Sequence, residues 1–242
     1  MLNSYKISLG QLIPIILFLF MAFHDSAAMA QKSPPEQSKF NVFAVVSEDI
    51  EKHFVKAAET LQQEENLESF PLKGYQVHCT LYMTQFPADI ENEITQKIAE
   101  LASNTSEFEI QTTGLEITAG DWFFMNLDRN RNLQTLSDRV VEILSPLRAQ
   151  SDYIPEWAKQ FPTKLEYITK YGSPNVYSEF NPHLTMLAKS DGVKLKNFIE
   201  KHKTSDFAQK IAGKIVAIGI GIGDRDGQIN TPLHIFKLKA VK

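Results

Sequence analysis

The 242-residue sequence has a single cysteine, Cys79, which excludes an internal disulfide and any zinc site built from several thiolates. It has no excess of positive charge: 25 Lys and Arg stand against 29 Asp and Glu, a formal net charge of −4. Coating a long nucleic acid depends on massed basic side chains, so a long duplex partner is disfavoured, while a small anion in a local pocket is not. Low-complexity tracts and solenoid-type repeats are also missing. Glycine and proline, at 11 each, are too few for a collagen-like chain, and 43% hydrophobic residues suffice for a packed core. The apolar run over 12–23, interrupted by Pro14, is shorter than the ~20 residues that span a bilayer comfortably.

That short apolar run has a different reading. Lys6 precedes it, and Ala28-Met29-Ala30 follows it as a small-x-small cleavage site, the pattern of a secretory signal peptide over residues 1–30. No cysteine lies near the site to carry a lipid anchor. The expected product is exported, periplasmic or secreted, with no membrane anchor after cleavage, and as a monomer. Residues 31–39, with Pro34-Pro35, read as a polar tether, and 40–242 as the working domain. Within it, alternation and helical spacing predict strands over 40–46, 75–86, 108–118, 122–127, 183–188, 211–222 and 233–240. Helices are predicted over 48–63, 88–102, 132–147 and 193–202, and the aromatic, Pro-interrupted stretch 152–171 as helix in pieces.

Two of these strands carry an echo. Gln76-Val77-His78-Cys79-Thr80-Leu81 and Asn181-Pro182-His183-Leu184-Thr185-Met186 each place His-x-Thr before an apolar residue. In a strand, residues two apart share a face, so His78 and Thr80 point one way and Val77, Cys79 and Leu81 the other; the same holds for His183 and Thr185. A hydroxyl donates to a phosphate oxygen and an imidazole exchanges a proton near neutral pH. Two such units facing each other supply an acid and a base on opposite sides of a phosphorus atom. His-x-Ser/Thr alone says little: His24-Asp25-Ser26 and His202-Lys203-Thr204 fit it by accident. Either motif alone reads best as a satisfied histidine on a half-buried strand. The matched pair, in matched strand context, reads as chemistry.

With these two segments, the chain resembles the two-histidine (2H) phosphoesterases, which include the 2′-5′ RNA ligase-like proteins and cyclic phosphodiesterases. The resemblance implies an α+β, bilobal fold in which two antiparallel sheets with outer helices face a central cleft. It implies metal-independent, cofactor-free chemistry on a cyclic phosphate or a 2′-5′ linkage of a small nucleotide or RNA end. It carries over His78 and His183 as acid and base, and Thr80 and Thr185 as phosphate anchors. The 105 residues between the histidines exceed what compact bacterial members need, and the aromatic segment 152–180 accounts for the excess. A secretory signal is also unusual for the cytoplasmic RNA-processing branch.

Weaker candidates surround the motifs. Tyr82 extends the His78–Thr80 face and Tyr177 precedes the second motif, so each is a possible base-stacking residue; an edge position or an ordinary loop contact accounts for them equally well. Trp122 and Phe124 share a strand face and are expected in the core. Lys73, Lys170 and Arg129 are cations within reach of a phosphate with nothing in their spacing to single them out, and His53 and His234 read as structural. Gly219, Gly221 and Gly223 alternate with isoleucines and read as a close backbone approach, not a dinucleotide fingerprint. Cys79 reads as an inert core thiol. Three other functions remain in view: 2′-5′ RNA ligase activity, an exported nucleotide-binding protein without turnover, and a histidine metal site that lacks a clear third ligand.

Overall fold

The computed structural model describes residues 36–151 and 154–240. The signal-peptide reading, over 1–30, lies outside them. The chain runs β1 (Gln37–Val46), α1 (Glu48–Glu65), β2 (Cys79–Pro87), α2 (Glu91–Ser103), β3 (Phe108–Ile117), β4 (Phe123–Leu127), α3 (Arg131–Leu144), α4 (Pro162–Tyr171), β5 (His183–Leu187), α5 (Gly192–His202), β6 (Ala212–Ile222) and β7 (Pro232–Lys237). The fold is the expected α+β class. β1 begins inside the stretch read as a tether, because Gln37, Ser38 and Lys39 pair with Pro87, Phe86 and Gln85.

The strands lie in the order β2-β1-β6-β3-β4-β5, all pairs antiparallel, with β7 also on β6. β3 divides the sheet. Its first half, from Phe108 to Gln111, pairs with β6, and from Thr112 onward it pairs with β4. The register shifts between Thr112 and Gly114, and Gly114 sits at φ +127°, a conformation that side chains resist. The strand thus passes from one antiparallel half-sheet to the other. The two ends of the path, β2 and β5, come back into contact. Those are the strands that follow His78 and begin at His183.

A second bulge decides which side chains face the cleft. Val42 pairs with Tyr82 but Phe43 pairs with Thr80, so Leu81 is the extra residue on β2. Cys79 and Leu81 are buried before the bulge; Tyr82, Thr84 and Phe86 are buried after it. The bulge takes the Leu81 carbonyl out of the ladder, and Ser137 Oγ of α3 donates to that carbonyl at 2.9 Å. α3 is set for this by Leu133, Leu136, Val140, Val141 and Leu144, all buried at helical spacing, and by Asn130, whose side chain accepts from Leu133 N. Each such side chain contributes about 1.5–3 kcal/mol on burial. The cost of seating one serine among them is offset by the bond it supplies.

Candidate functional site

His78 precedes the first residue of β2 and is only 5% exposed. Its position is fixed by two bonds: Gln76 N donates to Ile229 O at 2.8 Å, and His78 Nδ1–H donates to Gln76 O at 2.8 Å. With the proton on Nδ1, Nε2 keeps its lone pair. Phe43 supports the ring edge-on at 5.3 Å between centroids. Gly219 makes room for Phe43: a Cβ there would lie 2.2 Å from the phenyl ring. The alternating glycines therefore admit close approaches of different kinds: Gly219 to a ring, Gly221 to the Ile229 side chain, and Gly223 to Met83 and the Gly227 backbone.

Asn41 on β1 connects the first motif. Its Nδ2 lies 2.9 Å from Thr80 Oγ1, 3.0 Å from Gly227 O and 3.3 Å from His78 Nε2. Two amide hydrogens face three acceptors, and His78 is the farthest, so its lone pair is the least committed. Thr80, accepting from Asn41, keeps its own O–H to donate outward.

The second motif has different walls. His183 opens β5, and its Nδ1 donates to Asn181 O at 2.7 Å, the same local bond that His78 makes. The imidazole stacks on Phe124 of β4, with centroids 3.8 Å apart and rings 19° from parallel. Phe124 is not simply core, as its pattern suggested: it is the platform for His183. Asn126, paired in register with His183, donates to the Glu116 carboxylate. Among the described residues, Thr185 Oγ1 forms no hydrogen bond, and Asn41 Oδ1 and Asn126 Oδ1 are buried without a partner.

Burial lowers both imidazoles, against different neighbours. Burial pushes His78 from 6.5 down to about 4, and the nearby His183 charge adds to the shift; the Gln76 carbonyl and Asp224 oppose it. Burial also lowers His183, against the Asn181 carbonyl and the Glu116 carboxylate, which raise it. Cys79 lies on the opposite face of the first motif, fully buried, and burial lifts its thiol to about 12. That suits an inert core residue.

The structure does not bring the two tyrosines to the histidines. Tyr82 is 1% exposed: the Leu81 bulge turns it into the core, where its hydroxyl donates to Tyr171 O and its ring meets Phe86 edge-on. Tyr177 packs with Tyr167 and Tyr171, and its carbonyl accepts from Arg129 and from Gln134 of α3. Arg129 is thereby engaged on the Tyr177 and Ser178 carbonyls. Lys73 pairs with Glu68, and Lys170 lies over the Tyr171 ring. Asn41 and Phe43 were invisible as site residues because strand pairing, not proximity in sequence, delivers them. The shared face of Trp122 and Phe124 was the available signal for the His183 platform. Among the described residues, no group of three His, Cys, Asp or Glu is placed to hold a metal ion.

Comparison with curated proteins gives no match. Among solved structures, TT0787 of Thermus thermophilus is similar at TM-score 0.54 and 13% identity, covering 84% of this chain and 100% of that one. E. coli LigT in apo form aligns at TM-score 0.47 and 11% identity, over 84% of this chain and 99% of LigT. LigT complexed with 3′-AMP aligns at TM-score 0.47 and 13% identity, over 84% and 98%. The family model of the 2′-5′ RNA ligase superfamily matches residues 50–226, a span that holds both His-x-Thr motifs, the bulge and the His183 platform. The chain belongs to the 2′-5′ RNA ligase superfamily, a family of phosphoesterases and ligases.

Proposed function

We propose that the protein is a metal-independent phosphodiesterase that hydrolyses a cyclic phosphate, of the 2′,3′-cyclic nucleotide or RNA-end type, outside the cytoplasm. The observation that carries this reading is the pair of His-x-Thr units on contacting strands, each histidine fixed through Nδ1 with Nε2 directed elsewhere.

The surroundings favour distinct roles. His78 is enclosed, faces an amide N–H and is neutral above about pH 4, which suits a base. Burial lowers His183 as well, but its ring lies flat on an aromatic face with a carboxylate in its field, and both features oppose that lowering, which suits the acid of the pair. In the proposed step His78 Nε2 takes a proton from water as the water oxygen bonds to phosphorus. His183 gives its proton to the departing ribose oxygen as the P–O bond breaks. The Thr80 and Thr185 hydroxyls donate to the nonbridging oxygens. Water supplies the oxygen and both protons are accounted for, so nothing else is consumed.

The test is hydrolysis of a panel of 2′,3′-cyclic nucleotides and 2′-5′ dinucleotides by the wild type, His78→Ala and His183→Ala, with folding checked by circular dichroism. Both variants should lose all but a small residue of the activity and remain folded, and the wild type should retain its activity in a chelator. Full activity in either variant would sink the assignment. Export is tested separately, by sequencing the N-terminus of the mature protein, which should begin at Gln31.

A further inference from the structure

The described part of the segment that lengthens the interval between the histidines, residues 154–180, is not a loose insertion. Ala149 N donates to Gln85 O at 2.9 Å along the outer edge of β2. Thr84 Oγ1 donates to Gly172 O at 3.0 Å, and the Arg148 guanidinium donates to the Thr169 and Lys170 carbonyls at the end of α4. Gly172, at φ +71°, is required there, since a Cβ would come within 2.3 Å of Thr84 Oγ1. The segment is therefore a fixed wall standing over β2.

Between wall and sheet lies a cavity of about 240 Å³. Its floor is Met83, and Trp157, Ile168 and Pro174 form its walls, with Lys39 and Arg148 at the rim. Trp157 belongs to a short 3-10 turn, Glu156–Gln160, and keeps 46% of its surface exposed. The floor continues the proposed reaction site. After the Leu81 bulge it is Met83, not Tyr82, that shares the outward face with Thr80, and Met83 is opposite Asn41 in the register. Met83 also borders Gly227, whose carbonyl accepts from Asn41. One strip thus runs from His78 through Thr80 and Asn41 to the cavity floor.

We propose that this cavity is the subsite for the heteroaromatic base of a nucleotide whose phosphate ester lies at the two His-x-Thr motifs. The inference rests on the hydrolase reading for the position of the phosphate. A flat indole and a thioether suit a ring with two π-faces. The volume exceeds that of a single base and is far below that of a folded partner. Lys39 donates to backbone carbonyls and Arg148 to backbone carbonyls and the Gln150 side-chain oxygen, and among the described residues neither is paired with a carboxylate, so the rim keeps a positive charge toward an anionic ligand. The same wall explains why Tyr82 is unavailable for stacking: its hydroxyl helps to fasten the wall, by donating to Tyr171 O.

The test compares a substrate with a base, 2′,3′-cyclic AMP, and one without, glycerol 1,2-cyclic phosphate, on the wild type, Trp157→Ala and Trp157→Phe. Trp157→Ala should lower the ratio of the two kcat/KM values by about tenfold or more, through KM for the nucleotide, and Trp157→Phe should restore most of it. Parallel losses on both substrates, or an unchanged ratio, would overturn the subsite. Calorimetric titration with the 2′- and 3′-monophosphates of adenosine separates the two proposals. Trp157-dependent binding without turnover of either substrate keeps the subsite and removes the hydrolase reading. Turnover that ignores Trp157 does the opposite, and neither binding nor turnover removes both.

Discussion

His78 and His183 make the same Nδ1 bond to the carbonyl two residues upstream, and each is followed by the same Thr two residues on. Their surroundings differ. The first is enclosed by polar neighbours, Asn41 and the Gly227 turn, with a phenyl edge behind it. The second lies against a phenyl face, near a carboxylate, and is half-buried. A repeated motif fixes ring orientation in both places and burial lowers both imidazoles, while the partner strands differ in what they set against each ring. β1 brings an amide to one imidazole and β4 brings an aromatic ring to the other, so two copies of one motif are fitted for opposite halves of a proton transfer.

Removing either histidine gives the largest expected effect. Loss of a positioned acid or base costs on the order of 10²–10⁴ in rate. If the roles differ as the environments do, the two variants should fail in different ways. The wild-type pH–rate profile should be a bell shifted to the acid side, rising near pH 4 as His78 loses its proton and falling below the usual imidazole value of 6.5 as His183 loses its own. Residual activity of His78→Ala should lack the acid limb, and that of His183→Ala the alkaline limb. Reversed limbs would exchange the roles.

The enclosure of His78 also predicts a stability effect that His183 should show less. The folded pKa of about 4 lies below the unfolded 6.5, so between these values the unfolded chain binds the proton better. Stability is complete above pH 6.5 and declines as pH falls toward 4, by about 3 kcal/mol from this group. Urea midpoints measured across that window should slope in the wild type and flatten in His78→Ala; an unaltered slope would contradict the burial argument. Asn41→Ala then probes the polar wall alone. Without its donor, the Thr80 hydroxyl is no longer oriented and Gly227 O loses its partner, so kcat/KM should fall by roughly 10-fold, the scale of one to two hydrogen bonds. Phe124→Leu should act on the other half, lowering the alkaline limb of the profile and leaving the acid limb in place.

Much of this arrangement was legible locally. The strands and helices followed from alternation and from faces such as Leu133, Leu136, Val140 and Leu144, and the two motifs were found because His-x-Thr is complete within three residues. What was not legible depends on pairing. Tyr82 belongs on the His78–Thr80 face in an ideal strand; it leaves that face only because Leu81 bulges against β1. The bulge is supported by Ser137, 56 residues away. Asn41, Phe43 and Phe124 reach the histidines across strands, and no spacing along the chain encodes that. Even the start of β2 falls a few residues later than alternation predicts, because Tyr75 N donates to Phe70 O, Gln76 N to Ile229 O and His78 Nδ1 to Gln76 O instead of joining the ladder.

The smallest predicted effect concerns that bulge and is the most direct check on how the asymmetry arises. Ser137 Oγ donates to Leu81 O in a fully buried setting. Ser137→Ala leaves that carbonyl without a partner, at a cost of about 1–3 kcal/mol, and Ser137→Thr retains the donor with one added methyl group. A lowered thermal midpoint in the alanine variant, substantially recovered by threonine, supports a bulge held open by this bond. A helix that merely tolerates a buried serine predicts the reverse order, because alanine has the higher helix propensity and adds no volume. If the bulge relaxes in Ser137→Ala, Tyr82 moves toward the Thr80 face and its hydroxyl leaves Tyr171 O. Its fluorescence or ring resonances would then report a more exposed phenol, and the two half-sites would become more alike.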